Sequence, residues 1–493
     1  MTQASVHPPG PPGPDEAASE PASTATAVGE PPAPVPAHRL APSGPIERVM
    51  STVIRKLAWS RLSDPKVAVS FAGVGLLLGM VVGATAPNSA TLPIRLPLSV
   101  LPSLNNDSIL AMAILYTGDI LACLGLAGML WAHSQGWRPN PRHLFLAAAA
   151  VIAVMVSLTP VGSSDTASYA AFGRISALGE NPYTRGPAGW LGLHSAYVRV
   201  VGSVWKNQPS VYGPIATWVQ KVAGLIGGPD VVTTVWVLMI LNGAVFLAVG
   251  WLLIKTSDDP VRATLFWTAN PVLIQQLVSG GHLDTFLAAA AICAIQVARR
   301  VSGIRGDVLV GVIIGLGCGI KVSMALVAIG LAWPMLMRRE WLRVTRIAVV
   351  SLVVFGVQYI PYGLSALKPI FAGSKWVILP SPWRFVQLIG EALHATSAMT
   401  VIIGVLWPIA MIIIAWLIYQ RISSDQPREV VAPFALSFAW ILAAPWVFPW
   451  YTALAWVALT QIPRNRMTRW LALVTVLLAI WHSGGGQGAP GQM

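Results

Sequence analysis

The sequence predicts an all-α protein threaded repeatedly through a membrane, and three observations carry that prediction. Of its 493 residues, 55% are hydrophobic and only 10% are charged, with a mean hydropathy of +0.65. A soluble chain of this length needs about 25% charged residues to keep its surface wet. Apolar runs close to the roughly 20 residues that span a bilayer recur along most of the chain. The alternating segments of about ten residues that mark a membrane β-barrel are missing. The 21 tryptophans suit anchoring at the membrane boundary or packing between helices.

In chain order, residues 1–45 come first, opening "MTQASVHPPGPPGPDEAASEPAST". They lack an apolar pattern and are expected to form a disordered cytoplasmic tail. No apolar stretch of a cleaved signal peptide lies near the start, and Arg48, Arg55, Lys56, Arg61 and Lys66 are expected to hold the tail inside. The membrane domain is predicted over 46–482, with about 12–13 transmembrane helices. Its spans read as 67–86, 109–132, 143–160, 231–254, 262–280, 282–299, 307–320, 322–337, 344–362, 398–419, 430–447, 449–462 and 467–482. The stretch "YGPIATWVQKVAGLIGG" reads as a helix lying on, or dipping into, the outer surface. Residues 483–493 are a short flexible tail.

The net charge of +13 raises the possibility of nucleic-acid binding, and its distribution argues otherwise. The clusters "RKLAWSR", "RPNPRH", "RRVSGIR", "RREWLRVTR" and "PRNRMTR" sit between apolar runs, where short basic loops hold helices to the cytoplasmic side. That parity leaves 87–108, 161–230 and 363–397 outside, so the two large outer loops, 161–230 and 363–397, must carry the polar chemistry. Cys123, Cys293 and Cys318 lie far apart in apolar helices and read as free buried thiols.

The outer carboxylates in this topology are Asp107, Asp165, Glu180, Asp230, Asp284 and Glu391. Asp119 falls within a span and reads as structural. Asp165, in "SSDTASYAAFGRISALGENPYTRGP", has the best context for catalysis. Ser163 or Ser164 can cap a helix beginning there, and Asp165, Tyr169 and Phe172 fall at i, i+4, i+7 on one face. A carboxylate beside two aromatic rings suits a sugar, and the first helical turn favours its ionised form. The competing reading is a carboxylate that only caps the helix.

Three further clusters stand out. In "NPVLIQQLVSGGHLDTF", His282 and Asp284 lie at a helix start but two residues apart, which supports a metal pair only weakly; no metal or cofactor is expected. In "GLGCGIKVS" the glycines suit close helix packing rather than a phosphate loop. There Lys321 is a ligand for an anionic group, a snorkelling side chain, or the partner of Asp119 or Asp284. The loop 363–397 supplies Lys368, Lys375, Trp376, Trp383 and Arg384, cations among aromatics that suit a phosphorylated lipid or simple interfacial anchoring. "PWVFPWY" adds Trp450 and Tyr451.

These segments, in this order, resemble the actinobacterial α-1,6-mannopyranosyltransferases, polyprenyl-phosphomannose-dependent enzymes of the GT-C fold. "SSDTASYAAFGRISALGENPYTRGP", "LGLHSAYVRVVGSVWKNQPSVYGPI", "NPVLIQQLVSGGHLD", "GIKVSMAL", "GSKWVILPSPWRFVQLIG" and "FPWYTALAW" carry the resemblance, over about residues 67–482. It implies mannose transfer, on the outer face of the plasma membrane, from a polyprenyl phosphate to a lipid-linked α-1,6-mannan of the lipomannan type, with inversion. Asp165 takes the position of the family's outer-loop aspartate and is the implied general base. Lys321, Arg384, Lys375 and His282 are then the implied donor-phosphate ligands. Tyr169, Phe172, Arg174, Tyr183, Tyr212, Asp284, Trp376, Trp450 and Tyr451 are the implied substrate contacts. The chain departs from the family pattern at Ser164, where a basic residue is usual, and at Val211, Leu283 and Asp284 in place of Pro, Asn and Glu. The main alternative is a transporter of a polyprenyl-linked glycan, which would show paired broken helices and mid-membrane ionisable groups. A non-catalytic assembly subunit is a third reading.

Overall fold

The computed structural model describes residues 64–105, 109–373, 376–378, 381–422 and 424–482. Predicted features in 1–63 and 483–493, together with Asp107 and Lys375, lie outside the described residues. Within them the protein is all-helical, and the only β pairing is an isolated bridge between Thr91 and Val161.

The membrane helices are α1 (Pro65–Ala84), α2 (Leu110–Ser134) and α3 (Pro141–Met155). After them come α4 (Asp165–Ala177) and α5 (Pro214–Gly227) of the first large loop, then α6 (Val231–Thr256) and α7 (Pro260–Phe266). Next are α8 (Asp284–Arg300), α9 (Gly303–Cys318), α10 (Met324–Met337) and α11 (Trp341–Tyr359). The second large loop holds α12 (Trp383–Ala392), and α13 (Thr396–Arg421), α14 (Arg428–Ala443), α15 (Ala453–Leu459) and α16 (Met467–His482) complete the bundle.

Many of these helices begin at an Asx–Pro step. Asp64, Asn140, Asp259 and Asn270 each accept a backbone N–H of the first turn, with proline just inside. The side-chain oxygen satisfies a donor the helix cannot, and proline gives up a donor that would be orphaned anyway. Asp230 caps α6 in the same way, accepting from the Val232 and Thr233 N–H groups.

Among the described residues five helices, α1, α2, α6, α11 and α13, are long and apolar enough to cross a membrane by length and composition. The other predicted spans are present as shorter helices. The span expected at 262–280 is broken: α7 stops at Phe266, Asn270–Pro271 restarts the chain, and Ile274–Ser279 winds as a π-helix. A proline denies the helix a donor, and a π turn re-aims the side chains after it. The span expected at 449–462 is likewise a 3₁₀ turn, Pro449–Thr452, feeding the seven-residue α15. Both irregular segments border the site described below.

The helix predicted over 212–228 is α5, 14 residues long. At about 1.5 Å per residue it is about 21 Å long, short of the bilayer's hydrocarbon core. It packs against α4, where Gly173 and Gly224 let the two backbones touch, and leaves Trp218, Val222, Leu225 and Ile226 exposed along its other side. The three cysteines are free; only Cys123 is fully buried.

Candidate active site

Four segments far apart in sequence meet at one end of the bundle: the start of α4, the π-helix exit at 280–284, the α9–α10 turn and the 3₁₀ turn before α15. Asp165 is the first residue of α4. Of the two serines that could cap α4, Ser164 makes no side-chain cap bond, while Ser163 Oγ accepts the Asp165 N–H at 3.2 Å. The Asp165 carboxylate faces side chains: Tyr169 donates its hydroxyl to Oδ2 at 3.2 Å, as the i, i+4 spacing predicts. Tyr169 in turn shares a 3.0 Å hydrogen bond with the Tyr212 hydroxyl, the rings meeting edge-on at 5.1 Å.

Two backbone devices bring the partners in. Gly281 takes a φ of +66°, a left-handed turn in which a Cβ would meet Met239 Sδ and Thr166 Oγ1 at 2.7 Å. That turn sets His282 against Asp165, with Nδ1 3.4 Å from Oδ2. The imidazole is 1% exposed and lies flat on Trp450, ring centroids 3.6 Å apart. Its backbone carbonyl accepts from Asn242 Nδ2 at 2.6 Å. The second device is the contact of the Tyr212–Gly213–Pro214 loop with the glycine-rich end of α9. The Gly213 N–H donates to the Ile320 carbonyl at 3.1 Å and the Ile215 N–H to the Gly319 carbonyl at 2.8 Å. A Cβ on Gly213 would collide with the Gly319 carbonyl, so the glycines serve backbone approach, as the sequence indicated.

Lys321 follows that contact. Its Nζ donates to both oxygens of Asp284, at 2.9 and 3.1 Å, and sits 3.6 Å from the centre of the Tyr451 ring. The pairing with Asp284, foreseen as the structural option for Lys321, is therefore present. The two charges differ in access: the Lys321 side chain is 15% exposed and that of Asp284 2%. His282 and Asp284, two residues apart, address different partners, as their spacing requires.

Burial pushes the Asp165 carboxyl upward, but the His282 imidazole, the Lys321 ammonium and the Tyr169 hydroxyl outweigh it and hold it below the ordinary carboxylate value. At 21% exposure it remains open to a ligand and ionised at neutral pH. Such a carboxylate can take a proton from a hydroxyl, and a lysine close by can receive a developing negative charge.

Several predicted contacts lie elsewhere. Phe172 is buried at 2% exposure in the core. Arg174 is in the last turn of α4, about 13 Å along the helix from Asp165. Tyr183 is buried, sharing a 2.7 Å hydrogen bond with Thr217 Oγ1 and packing edge-on against Tyr362. Arg384 pairs with Glu391 within α12 at 2.8 Å rather than with the Asp165 cluster. Trp376 packs between Trp205 and Trp446, and Trp446, Phe448 and Trp450 continue as an aromatic train ending on His282. Trp450 is therefore a wall for the histidine, and Tyr451 a floor for Lys321. Asn242, Gln275 and His482 escaped the sequence reading. Asn242 carried a signal, a polar residue midway along an apolar span.

Residues 67–338, more than half of the chain, match the family model for the alpha-(1->6)-mannopyranosyltransferase N-terminal domain. The chain belongs to that family. It is 26% identical over 261 residues to a probable alpha-(1->6)-mannopyranosyltransferase of Mycolicibacterium smegmatis, a match covering 52% of this chain and 42% of that relative. It is 21% identical over 448 residues to alpha-(1->6)-mannopyranosyltransferase A of Corynebacterium glutamicum, covering 76% of this chain and 89% of the relative. To the A enzyme of Mycobacterium tuberculosis it is 24% identical over 415 residues, 77% of each chain. The chain thus spans less than half the length of the first of these relatives. No solved structure matches it.

Proposed function

We propose that this protein is an integral-membrane mannosyltransferase that uses a polyprenyl-phosphate-mannose donor to extend an α-1,6-mannan lipid on the extracytoplasmic face. The observation that carries the reading is the convergence of Asp165 with Tyr169, His282 and the Lys321–Asp284 pair in a member of this family. In the proposed reaction the acceptor hydroxyl gives its proton to Asp165 while its oxygen attacks the anomeric carbon. The carbon–oxygen bond to the phosphate breaks, the electron pair leaves with the polyprenyl phosphate, and the centre inverts. Lys321, the more exposed member of its pair, receives the growing phosphate charge. The donor carries its own leaving group, so the scheme calls on no metal or cofactor.

The choice of face rests on the ends of the helices. α8 runs from Asp284 to Arg299 and Arg300, and α10 from the Lys321 turn to Arg338 and Arg339. The candidate site and the basic clusters thus occupy opposite ends, and basic loops favour the cytoplasm. The test is transfer of labelled mannose from polyprenyl-phosphate-mannose to a mannan lipid in proteoliposomes. Asp165→Asn should lower turnover about 10²- to 10⁴-fold, the usual weight of a general base, with donor binding retained. Normal turnover in that variant would remove Asp165 from the mechanism. Glycan crossing the bilayer without bond formation would replace transfer by transport.

A further inference from the structure

The end of the bundle opposite Asp165 holds a second polar feature, one that the proposed transfer does not use. α8 ends at Arg300 and α9 begins at Gly303. The tight turn between them, with Gly303 at a φ of +73°, borders an open cavity of about 280 Å³. Arg299, Arg300 and Arg343 line it together with Ser302 and Gly303. The carboxylates nearby are already paired. Asp307 holds Arg343 and Arg346 at 3.0 and 2.7 Å, and Glu340 holds Arg338 and Arg343 at 2.5 and 2.6 Å. Arg299 and Arg300 reach only neutral oxygens, of the Gln461 side chain at 3.4 Å and the Thr256 backbone at 3.2 Å. Neither forms an ion pair among the described residues, and the exposed Asp258, two residues beyond Thr256, pairs with neither. The start of α9 adds donors to the same place. Ser302 makes no side-chain cap bond and the first turn holds Arg305 but no acidic residue, so its N–H groups and the positive end of the helix lack a side-chain acceptor. Directly beyond the lining residues, Ile304 and Val308, one turn apart on one face of α9, are exposed.

We propose that this cavity binds the phosphate of an anionic phospholipid from the bilayer leaflet at that end, with Arg299 and Arg300 as its charge partners. The first N–H groups of α9 are further donors, and Ile304 and Val308 begin the track for an acyl chain. Guanidinium forks match phosphate oxygens, and basic pockets between membrane helices take anionic headgroups. A free phosphate would use the arginines but not the apolar face beside them. The site lies away from Asp165 and is independent of the transfer reading. α8 starts at Asp284 and α9 leads into the Lys321 turn, so a lipid held at 299–303 braces the hairpin whose far ends carry that ion pair. The plainer role for the two arginines is to complement the C-terminus of α8 and hold its loop on one side of the membrane.

The test uses the full-length protein in an uncharged detergent. Binding of phosphatidylglycerol, phosphatidylcholine and inorganic phosphate is read by native mass spectrometry and by the shift in thermal unfolding. Wild type should hold one phosphatidylglycerol at least about 10-fold more tightly than phosphatidylcholine. Arg299→Gln with Arg300→Gln should weaken that binding about 30-fold, the weight of two basic side chains at an anionic surface. Arg142→Gln with Arg421→Gln, two exposed arginines at the same end but outside the cavity, should leave it within about twofold. Equal binding of the two lipids by wild type would overturn the proposal, even if the cavity variant does not fold. Equal losses in the two double variants would reduce Arg299 and Arg300 to general loop charge, and inorganic phosphate binding as tightly as the lipid would make the site one for a free anion. Either result overturns the proposal as well.

Discussion

Removing one side of the Lys321–Asp284 pair gives the most quantitative test of the site's architecture. The two oxygens of Asp284 lie 2.9 and 3.1 Å from Nζ, and stripping one partner from a buried pair costs about 3–5 kcal/mol because the other charge is left alone. The two single variants are not equivalent. In Asp284→Asn the remaining ammonium is 15% exposed and keeps the Tyr451 ring at 3.6 Å, a cation–π contact worth about 0.5–2 kcal/mol. The expected loss is then about 2–4 kcal/mol. In Lys321→Met the remaining carboxylate is 2% exposed, and the full penalty of about 3–5 kcal/mol is expected. Replacing both, as in Asp284→Leu with Lys321→Met, removes both desolvation costs and should return to within about 2 kcal/mol of wild type. Unfolding by titration with SDS in mixed micelles, followed by tryptophan fluorescence, measures all four proteins. The reasoning fails if Lys321→Met is no costlier than Asp284→Asn, or if the double variant loses the sum of the singles.

Further outcomes follow from the same geometry. Tyr169→Phe removes a hydrogen bond to the Asp165 carboxylate, worth about 1.5–3 kcal/mol for a charged acceptor; turnover should fall about 10- to 100-fold at unchanged donor KM, and a full-rate enzyme would exclude the hydroxyl from the mechanism. Gly213→Ala drives a Cβ into the Gly319 carbonyl; overpacking of this kind costs about 1–3 kcal/mol, and both stability and turnover should drop because Tyr212 and Lys321 hang on that contact. Asp165 is held below its ordinary value of 3.8, so its contribution to stability is fully present above that value and is lost as pH falls through the lower, folded-state one. The stability gap between wild type and Asp165→Asn should therefore be flat from neutrality down to about pH 4 and narrow below it; a gap already narrowing near pH 6 would contradict the depressed carboxyl. Asp230→Ala strips the cap of α6 and should cost about 1 kcal/mol with turnover unchanged, measured by the same SDS titration.

Much of this protein was legible in its sequence. Low charge and recurring apolar runs determined the helical membrane class, because a backbone in lipid must satisfy its own hydrogen bonds. Asp165 with Tyr169 followed from helical spacing, and the glycines before Lys321 from the need for close backbones. The tertiary structure alone decided which distant groups meet. Phe172 shares a helix with Asp165, and its heptad spacing gave no sign that it points into the core. Lys321 had two carboxylates to choose between, and the turn after α9 selected Asp284. The left-handed Gly281 and the π-helix before it turn the His282 ring toward Asp165 and onto Trp450, a placement its spacing from Asp284 could not disclose. Local sequence dictates periodicity and caps, which act over one or two turns. The direction of a side chain at an irregular helix end depends on whatever packs against it, and for His282 the groups its ring faces, Asp165 and Trp450, come from more than a hundred residues away.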